Sequence, residues 1–121
     1  MPSLLCLVVD HGPYGRIEPA EAIRHAGGAL GKGWDVVLAL MGNGVYTALP
    51  GQSPPSGDWV SLDKALATLI SEGKERAHVL VDGSSLAALG LSTNDLIPGA
   101  RPASLEEIAR AMADCDRTLL F

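Results

Sequence analysis

Short apolar runs of strand length alternate with segments of helical periodicity along this chain. Aromatic residues make up only 4% of the sequence, so its interior must be built from Leu, Val, Ile and Ala, as is usual for helix-covered parallel strands. The order of strand and helix is the one that parallel strands with crossover helices require. The sequence therefore predicts a three-layer α/β fold of flavodoxin-like character, with helices on both faces of about five mostly parallel strands, at 4–9, 35–41, 78–81, 96–97 and 117–121.

Helix signals fall between these runs. Proline and acidic residues over 18–21 open a first helix that ends at the glycines of 31–33. Ser61 can cap a second helix that reaches Ser71, and a capping box, Ser104 with Glu107, starts the last one. Short helical turns are expected at 45–49 and 86–89.

The length of 121 residues suits one domain, here residues 1–121. The stretch 52–57 is rich in Pro, Ser and Gly, but it is too short for a domain linker and is predicted to be a surface loop. We find no signal peptide or membrane span at the N-terminus, which favours a cytoplasmic location.

Charge excludes two broad classes of partner. Fourteen acidic residues outnumber nine basic ones, and no Lys or Arg cluster marks a face, so neither direct nucleic-acid binding nor membrane binding is expected. No cluster of His and Cys has metal-ligand spacing, and neither a metal nor a cofactor is predicted.

The two cysteines are predicted to be free and unreactive. Cys6 lies within an apolar strand, and burial raises a thiol pKa. Cys115 ends the last helix between Asp114 and Asp116, where the carboxylates and the helix dipole oppose formation of a thiolate.

Ligands of open parallel sheets gather beyond the carboxyl ends of the strands, so the loops after the first three strands define a candidate pocket. Asp10 and Asp82 lie in these loops. They could form a phosphoacceptor or Mg²⁺ site, or they could serve as ordinary turn and helix-cap residues. Gly83-Ser84-Ser85 has the parts of a small-anion site, or its serines cap a helix. His11 suits a general base but has no nucleophile placed beside it, so no catalytic residue is assigned. The candidate pocket comprises Asp10, His11, Asn43, Asp82, Ser84 and Ser85.

A second candidate surface follows Gly44. Val45, Tyr46 and Leu49 form an apolar turn that is unusual for a solvated loop end. Packing against another chain would account for it, and so would burial within the same domain. The first alternative predicts that the protein is not a monomer.

Several motifs together resemble the DsrE/DsrF-like family, and among its branches they are most similar to DsrF/TusC. The resemblance covers nearly the whole chain, and its most specific part is the Gly-Val-Tyr…Leu-Pro-Gly-Gln segment. The motifs are His11-Gly12-Pro13-Tyr14-Gly15, Gly44-Val45-Tyr46, Leu49-Pro50-Gly51-Gln52, Ser85-Leu86 with Gly90-Leu91, and the ending 113–121.

The resemblance implies a small α/β subunit of an assembly that carries sulfur as a persulfide, in sulfur oxidation or in 2-thiolation of tRNA. DsrF/TusC-like subunits typically join DsrE/TusD-like and DsrH/TusB-like subunits, two copies of each, and the sulfur-carrying Cys belongs chiefly to the DsrE/TusD-like subunit. Other relatives form homotrimers or homohexamers.

The chain departs from this pattern directly after the third strand. Relatives often have a Cys there, whereas this sequence has Asp82, which cannot form a persulfide. We therefore expect a non-catalytic or accessory subunit of a sulfur relay, at most part of a sulfur-transferase complex and not an enzyme on its own. The alternative is a homo-oligomer that binds a small molecule or anion through the candidate pocket.

Overall fold

Five parallel strands form one sheet in the part of the chain that the computed structural model describes, residues 3–56 and 60–121. Their spatial order is β4-β3-β2-β1-β5, and each neighbouring pair is parallel. This confirms the predicted α/β architecture. The strands are β1 (Leu4–Val9), β2 (Asp35–Leu40), β3 (Ala77–Asp82), β4 (Ala100–Ala103) and β5 (Arg117–Leu120).

Helices cover both faces of the sheet because the strands are added to one side of β1 up to β4 and to its other side at β5. From β1 to β4 each strand is added on the same side of the last, and right-handed crossovers then place their helices on one face. The return from β4 to β5 places the last helix on the other face. The helices are α1 (Glu18–Gly31), α2 (Leu62–Gly73), α3 (Gly83–Ala88) and α4 (Leu105–Asp114), with a 3₁₀ helix over Gly42–Ala48.

The alternation of side chains along β1 separates two apolar cores. Leu5, Leu7 and Val9 belong to the larger core under α1 and α2, whereas Cys6 and Val8 belong to the smaller core under α4. None of the helices within 3–56 and 60–121 is long and apolar enough to cross a membrane.

The predicted fourth strand was wrong. Residues 96–97 form no strand; Ile97 is instead buried, and its N–H donates to the carbonyl of Ala48 at 2.9 Å. The real β4 is an edge strand of four residues that contains Pro102, a residue that a strand tolerates at the edge of a sheet. Two helical segments begin three residues earlier than predicted: α3 begins at Gly83, not residue 86, and the helical turn after β2 begins at Gly42, not residue 45. The other bounds differ by one or two residues.

The predicted surface loop over 52–57 contains no helix or strand in its described part, residues 52–56, and Gly57 lies outside the described residues.

The 3₁₀ helix packs so closely on β1 that only glycine fits at its third position. A Cβ built on Gly44 would lie 2.2 Å from the carbonyl oxygen of Val9 and 2.9 Å from its carbonyl carbon. Real Cβ atoms do not approach main chain that closely, so the backbone would have to move. Gly44 thus allows this helix to lie over the end of β1.

Replacing Gly44 with Ala should therefore destabilise the protein by roughly 2–3 kcal/mol, because overpacking against main chain is not relieved by a side-chain rotation. Urea unfolding followed by circular dichroism measures this loss. Gly28→Ala in α1 is the matched control: its Cβ would have no atom within 4 Å, and we expect stability to rise by about 0.5–1 kcal/mol. Equal stability of the Gly44 variant and the wild type would contradict the close packing.

Candidate functional site

The three loops of the candidate pocket meet at the carboxyl edge of the sheet. Asp10 follows β1, Gly42 follows β2 by two residues, and Asp82 ends β3, as the parallel strands predict. The first two loops touch, since a Cβ on Gly12 would lie 3.4 Å from the Cβ of Asn43. The second and third loops are joined by a hydrogen bond from the Gly42 N–H to Ser85 Oγ at 2.8 Å.

Asp82 is the N-cap of α3, and the residue is almost fully buried at 3% exposure. Its Oδ2 accepts hydrogen bonds from the Ser85 hydroxyl at 2.6 Å and the Ser85 N–H at 3.2 Å. The Ser84 hydroxyl lies 3.1 Å and 3.0 Å from the two carboxylate oxygens. The prediction that the two serines cap the helix was therefore wrong: Asp82 is the cap, and the serines donate to it.

These hydrogen bonds determine the charge of Asp82. Burial by itself would raise its pKa, but donation from Ser85, Ser84 and their main-chain N–H groups outweighs burial and lowers the pKa below its ordinary value of 3.8. Asp82 is thus a satisfied buried carboxylate that holds the start of α3. This arrangement fits the cap alternative for Asp82 and not the phosphoacceptor alternative.

The described residues contain no group of three or more His, Cys, Asp or Glu side chains placed to hold a metal ion. Asp10 is exposed, and its Oδ1 lies 3.1 Å from His11 Nδ1. Of the pocket candidates, Asp10, Asn43 and Ser84 face solvent, and His11 and Ser85 are half-buried.

His11 lies where the order of strands reverses, between β1 and β5, which is the usual ligand position in open parallel sheets. Its Nδ1 donates to the main-chain oxygen of Phe121 at 2.9 Å. The ring of Phe121 in turn lies 5.5 Å from that of His25 in α1. His11 therefore ties the first loop to the end of β5.

An open groove of about 570 Å³ runs beside Asp82, between the starts of α3 and α4. The sequence did not predict the side of the groove that β4 and the start of α4 form, because β4 was predicted at the wrong residues, although the capping box does mark the start of α4. Glu107, which belongs to that box, accepts a hydrogen bond from Arg101 at 2.9 Å. This hydrogen bond, together with the one from the Ser104 N–H, lowers the pKa of Glu107. The groove is lined by Asp82, Gly83, Ser84, Pro102, Ala103, Ser104, Leu105 and Glu107.

Gln52 explains why the segment after Gly44 folds as it does. Its amide nitrogen donates to the carbonyls of Tyr46, Thr47 and Leu49 at 3.2, 2.9 and 2.9 Å. Its amide oxygen accepts from the Tyr14 hydroxyl at 2.5 Å, and that hydroxyl accepts from an N–H at the start of α2. Much of this segment therefore serves the internal structure of the subunit.

Packing within the subunit removes one of the three residues of the candidate interface. Val45 is fully buried in the larger core, so it follows the alternative of burial within its own domain. Tyr46 is 37% exposed and Leu49 is half-buried. The prediction of an interface now depends on Tyr46 and Leu49.

Neither thiol resembles a reactive cysteine. Burial, together with the neighbouring Cys115, raises the pKa of Cys6 to about 12. Burial also raises the pKa of Cys115, and Asp114 and Asp116 add to that effect, although a hydrogen bond from Cys6 partly opposes it. Cys115 packs against the smaller core, to which Cys6 belongs, and their places in the sequence did not indicate this.

Comparisons with known proteins agree on one family and one fold. The model of the DsrE/DsrF-like family matches residues 4–121. The uncharacterized protein MJ0989 of Methanocaldococcus jannaschii is 30% identical over 115 residues, 95% of this chain and 96% of that protein. A protein TusC homolog of Vibrio parahaemolyticus is 29% identical over 119 residues, 98% and 99% of the two chains. The crystal structure of the ychN protein from E. coli superposes with a TM-score of 0.84 over the whole of both chains, at 24% identity.

Replacing Asp82 with Asn should lower the free energy of unfolding at neutral pH by about 1–2 kcal/mol, because hydrogen bonds to a charged acceptor become neutral ones. Since the folded-state pKa lies below the unfolded one, the carboxylate stabilises the fold above about pH 4. That stabilisation is lost as the pH falls through the folded-state pKa, so the difference between variant and wild type should shrink in acid.

Urea unfolding at several pH values tests this expectation. Asp10→Asn is the control, because that carboxylate is exposed and should change stability little. A difference for the Asp82 variant that stays constant between neutral and strongly acidic pH would contradict the assigned role.

Proposed function

Because this chain belongs to the DsrE/DsrF-like family, we propose that it is an accessory, non-catalytic subunit of a sulfur-relay assembly in which another chain carries the persulfide. The observation that carries this proposal is Asp82 at the end of β3. A thiolate is needed there to accept sulfane sulfur, and a carboxylate cannot form a persulfide. The position is instead occupied by a group that caps α3.

The chain's own thiols offer no substitute. Sulfur transfer requires a thiolate as nucleophile, and burial opposes this form for both Cys6 and Cys115. Neither cysteine lies in the groove beside Asp82. A subunit with this arrangement would shape an assembly and leave the chemistry to a partner.

We assign partners by the branch of the family. The similarity to a protein TusC homolog over nearly the full length of both chains supports the DsrF/TusC branch. Partners of the DsrE/TusD-like and DsrH/TusB-like classes would then supply the thiol and complete the assembly. The assembly would act in the cytoplasm, in sulfur oxidation or in tRNA 2-thiolation. This chain itself would make no direct contact with nucleic acid.

A second function has one observation in its favour. The groove of about 570 Å³ is open at Ser84, and Asp10 and Asn43 are exposed on the same edge of the sheet. A homo-oligomer that binds a small molecule or anion would use these groups. Such a protein would assemble fully without partner chains, which separates it from the first proposal.

The isolated wild-type protein should take up no sulfane sulfur when it is incubated with a cysteine desulfurase and cysteine. Asp82→Cys is the positive counterpart. Its new thiol lies beside the open groove, so it should accept sulfane sulfur as a persulfide and should also react with thiol reagents. Intact and peptide mass spectrometry identify the labelled residue, and circular dichroism checks that the variant is folded. Persulfide on Cys6 or Cys115 of the folded wild-type chain would overturn the accessory role.

Tyr46→Asp should break the assembly of this chain with its DsrE-like and DsrH-like partners, weakening it by about 30-fold or more, because a charge would be buried at an interface. Light scattering of the co-expressed chains measures the mass, and circular dichroism reports whether the subunit remains folded. Ile17→Asp is a matched control, because Ile17 is another exposed apolar residue and lies outside the 45–49 segment in the sequence. An assembly of unchanged mass with the Tyr46 variant would remove this residue from the interface.

A further inference from the structure

The two edges of the sheet are built differently. The edge strand β4 contains Pro102, which has no main-chain N–H to offer a further strand, and its Arg101 is bound to Glu107 at 2.9 Å. The other edge strand, β5, contains no proline, and all four of its residues are exposed. Leu119 is 39% exposed and Leu120 is 76% exposed. Since sheets protect the edges that must stay unpaired, this contrast marks β5 as the edge that pairs.

The main-chain groups on the outer side of β5 are available to a further strand. In the described part of the chain, β1 is the one strand that pairs with β5. The N–H of Asp116, directly before β5, donates to the carbonyl of Leu4 at 2.9 Å. Because alternate residues of a parallel strand bond to the same neighbour, Thr118 also faces β1. Arg117 and Leu119 therefore direct their N–H and C=O groups away from the sheet.

The side chains of β5 alternate between the two faces of the sheet. Arg117 and Leu119 lie in register with β1 residues of the larger core, so they share the face that α1 covers. Phe121 follows on that face, since its ring lies 5.5 Å from a histidine ring of α1. Thr118 and Leu120 lie in register with β1 residues of the smaller core and share the face that α4 covers.

We propose that β5 is a self-association edge, at which it pairs antiparallel with β5 of a second copy of this chain about a two-fold axis. Two-fold symmetry is the commonest symmetry of protein dimers, and it requires a surface that is complementary to itself. Strand addition of this kind takes its affinity from main-chain hydrogen bonds and its specificity from the side chains that face each other. The sequence of β5 meets that requirement in one register.

Three other registers of this antiparallel pair are unfavourable. Arg117 at the axis would place two like charges directly opposite each other. Thr118 at the axis would place the carboxylate of Asp116 against the apolar Leu120. With Leu120 itself at the axis, too few residues would remain to pair.

The register with Leu119 at the axis gives every side chain a suitable partner. Leu119 meets the Leu119 of the second copy in an apolar pair. Arg117 faces the aromatic ring of Phe121, which is a favourable cation–π arrangement. On the other face, Leu120 is covered by the methyl group of Thr118. The occupant that best fits this edge is therefore the same edge of a second copy.

This interface is separate from the one proposed above. Tyr46 and Leu49 belong to the segment after β2, outside β5, so Tyr46→Asp should leave self-association unchanged. Two copies joined at β5 can still bind other chains. The proposal therefore depends neither on the sulfur-relay role nor on its alternative, and failure of one leaves the other standing.

The first test measures self-association of the isolated wild-type chain. Light scattering over a concentration series should show a mass that rises to at least twice the 12.5 kDa of one chain. Leu119→Lys should weaken this association by about tenfold or more, because two like charges would lie opposite each other at the axis. Leu105→Lys is the matched control, since Leu105 is an exposed leucine in α4. A wild type that stays at 12.5 kDa, or equal association of the two variants, would overturn the proposal.

The second test distinguishes pairing across the axis from an indirect effect of the substitution. Leu119→Lys and Leu119→Asp should each associate weakly alone, whereas their mixture should form a mixed dimer, because opposite charges then meet. Native mass spectrometry resolves the three possible pairs, and the same two charges at Leu105 should give no preference for the mixed pair. A mixture that associates no better than either variant alone would contradict the pairing. If circular dichroism shows that a Leu119 variant is unfolded, Lys and Asp at the more exposed Leu120 take its place, and the wild-type mass still decides whether the chain self-associates.

Discussion

A buried carboxylate at the end of β3 determines how the carboxyl edge of this sheet is built. Burying an unpaired charge is costly, and Asp82 avoids that cost because Ser84 and Ser85 donate to it from the first turn of α3. Ser85 also accepts from the Gly42 N–H, which connects the carboxylate to the loop after β2. One acidic side chain thus orders the start of α3 and the loop after β2.

Most of the sheet could be predicted from sequence because its central strands are continuous apolar runs. The runs at β1, β2 and β3 need no tertiary information, since strands covered on both faces must be apolar throughout. The edge strand β4 could not be found in this way. Only Ala103 of its four residues is buried, and the more apolar pair that precedes it, residues 96–97, packs into the core without joining the sheet.

The candidate site was predicted at the level of loops but not of side chains. Parallel strands bring Asp10, Asn43 and Asp82 to one edge whatever else the chain does, and the sequence is enough for that inference. Which polar atoms satisfy one another depends on positions within a few tenths of an ångström. The burial of Val45 and the packing of Cys115 against the core that contains Cys6 likewise arise only when distant segments pack together.

We propose that this chain works within an assembly whose sulfur-carrying thiol belongs to another subunit. The most direct measurement is native mass spectrometry of the tagged chain isolated from the cells that make it, followed by mapping of every persulfide in the complex. We expect a hetero-oligomer with DsrE-like and DsrH-like chains, with sulfane sulfur on a cysteine of the DsrE-like chain. A homo-oligomer free of such chains, or persulfide on the chain's own cysteines, would contradict it.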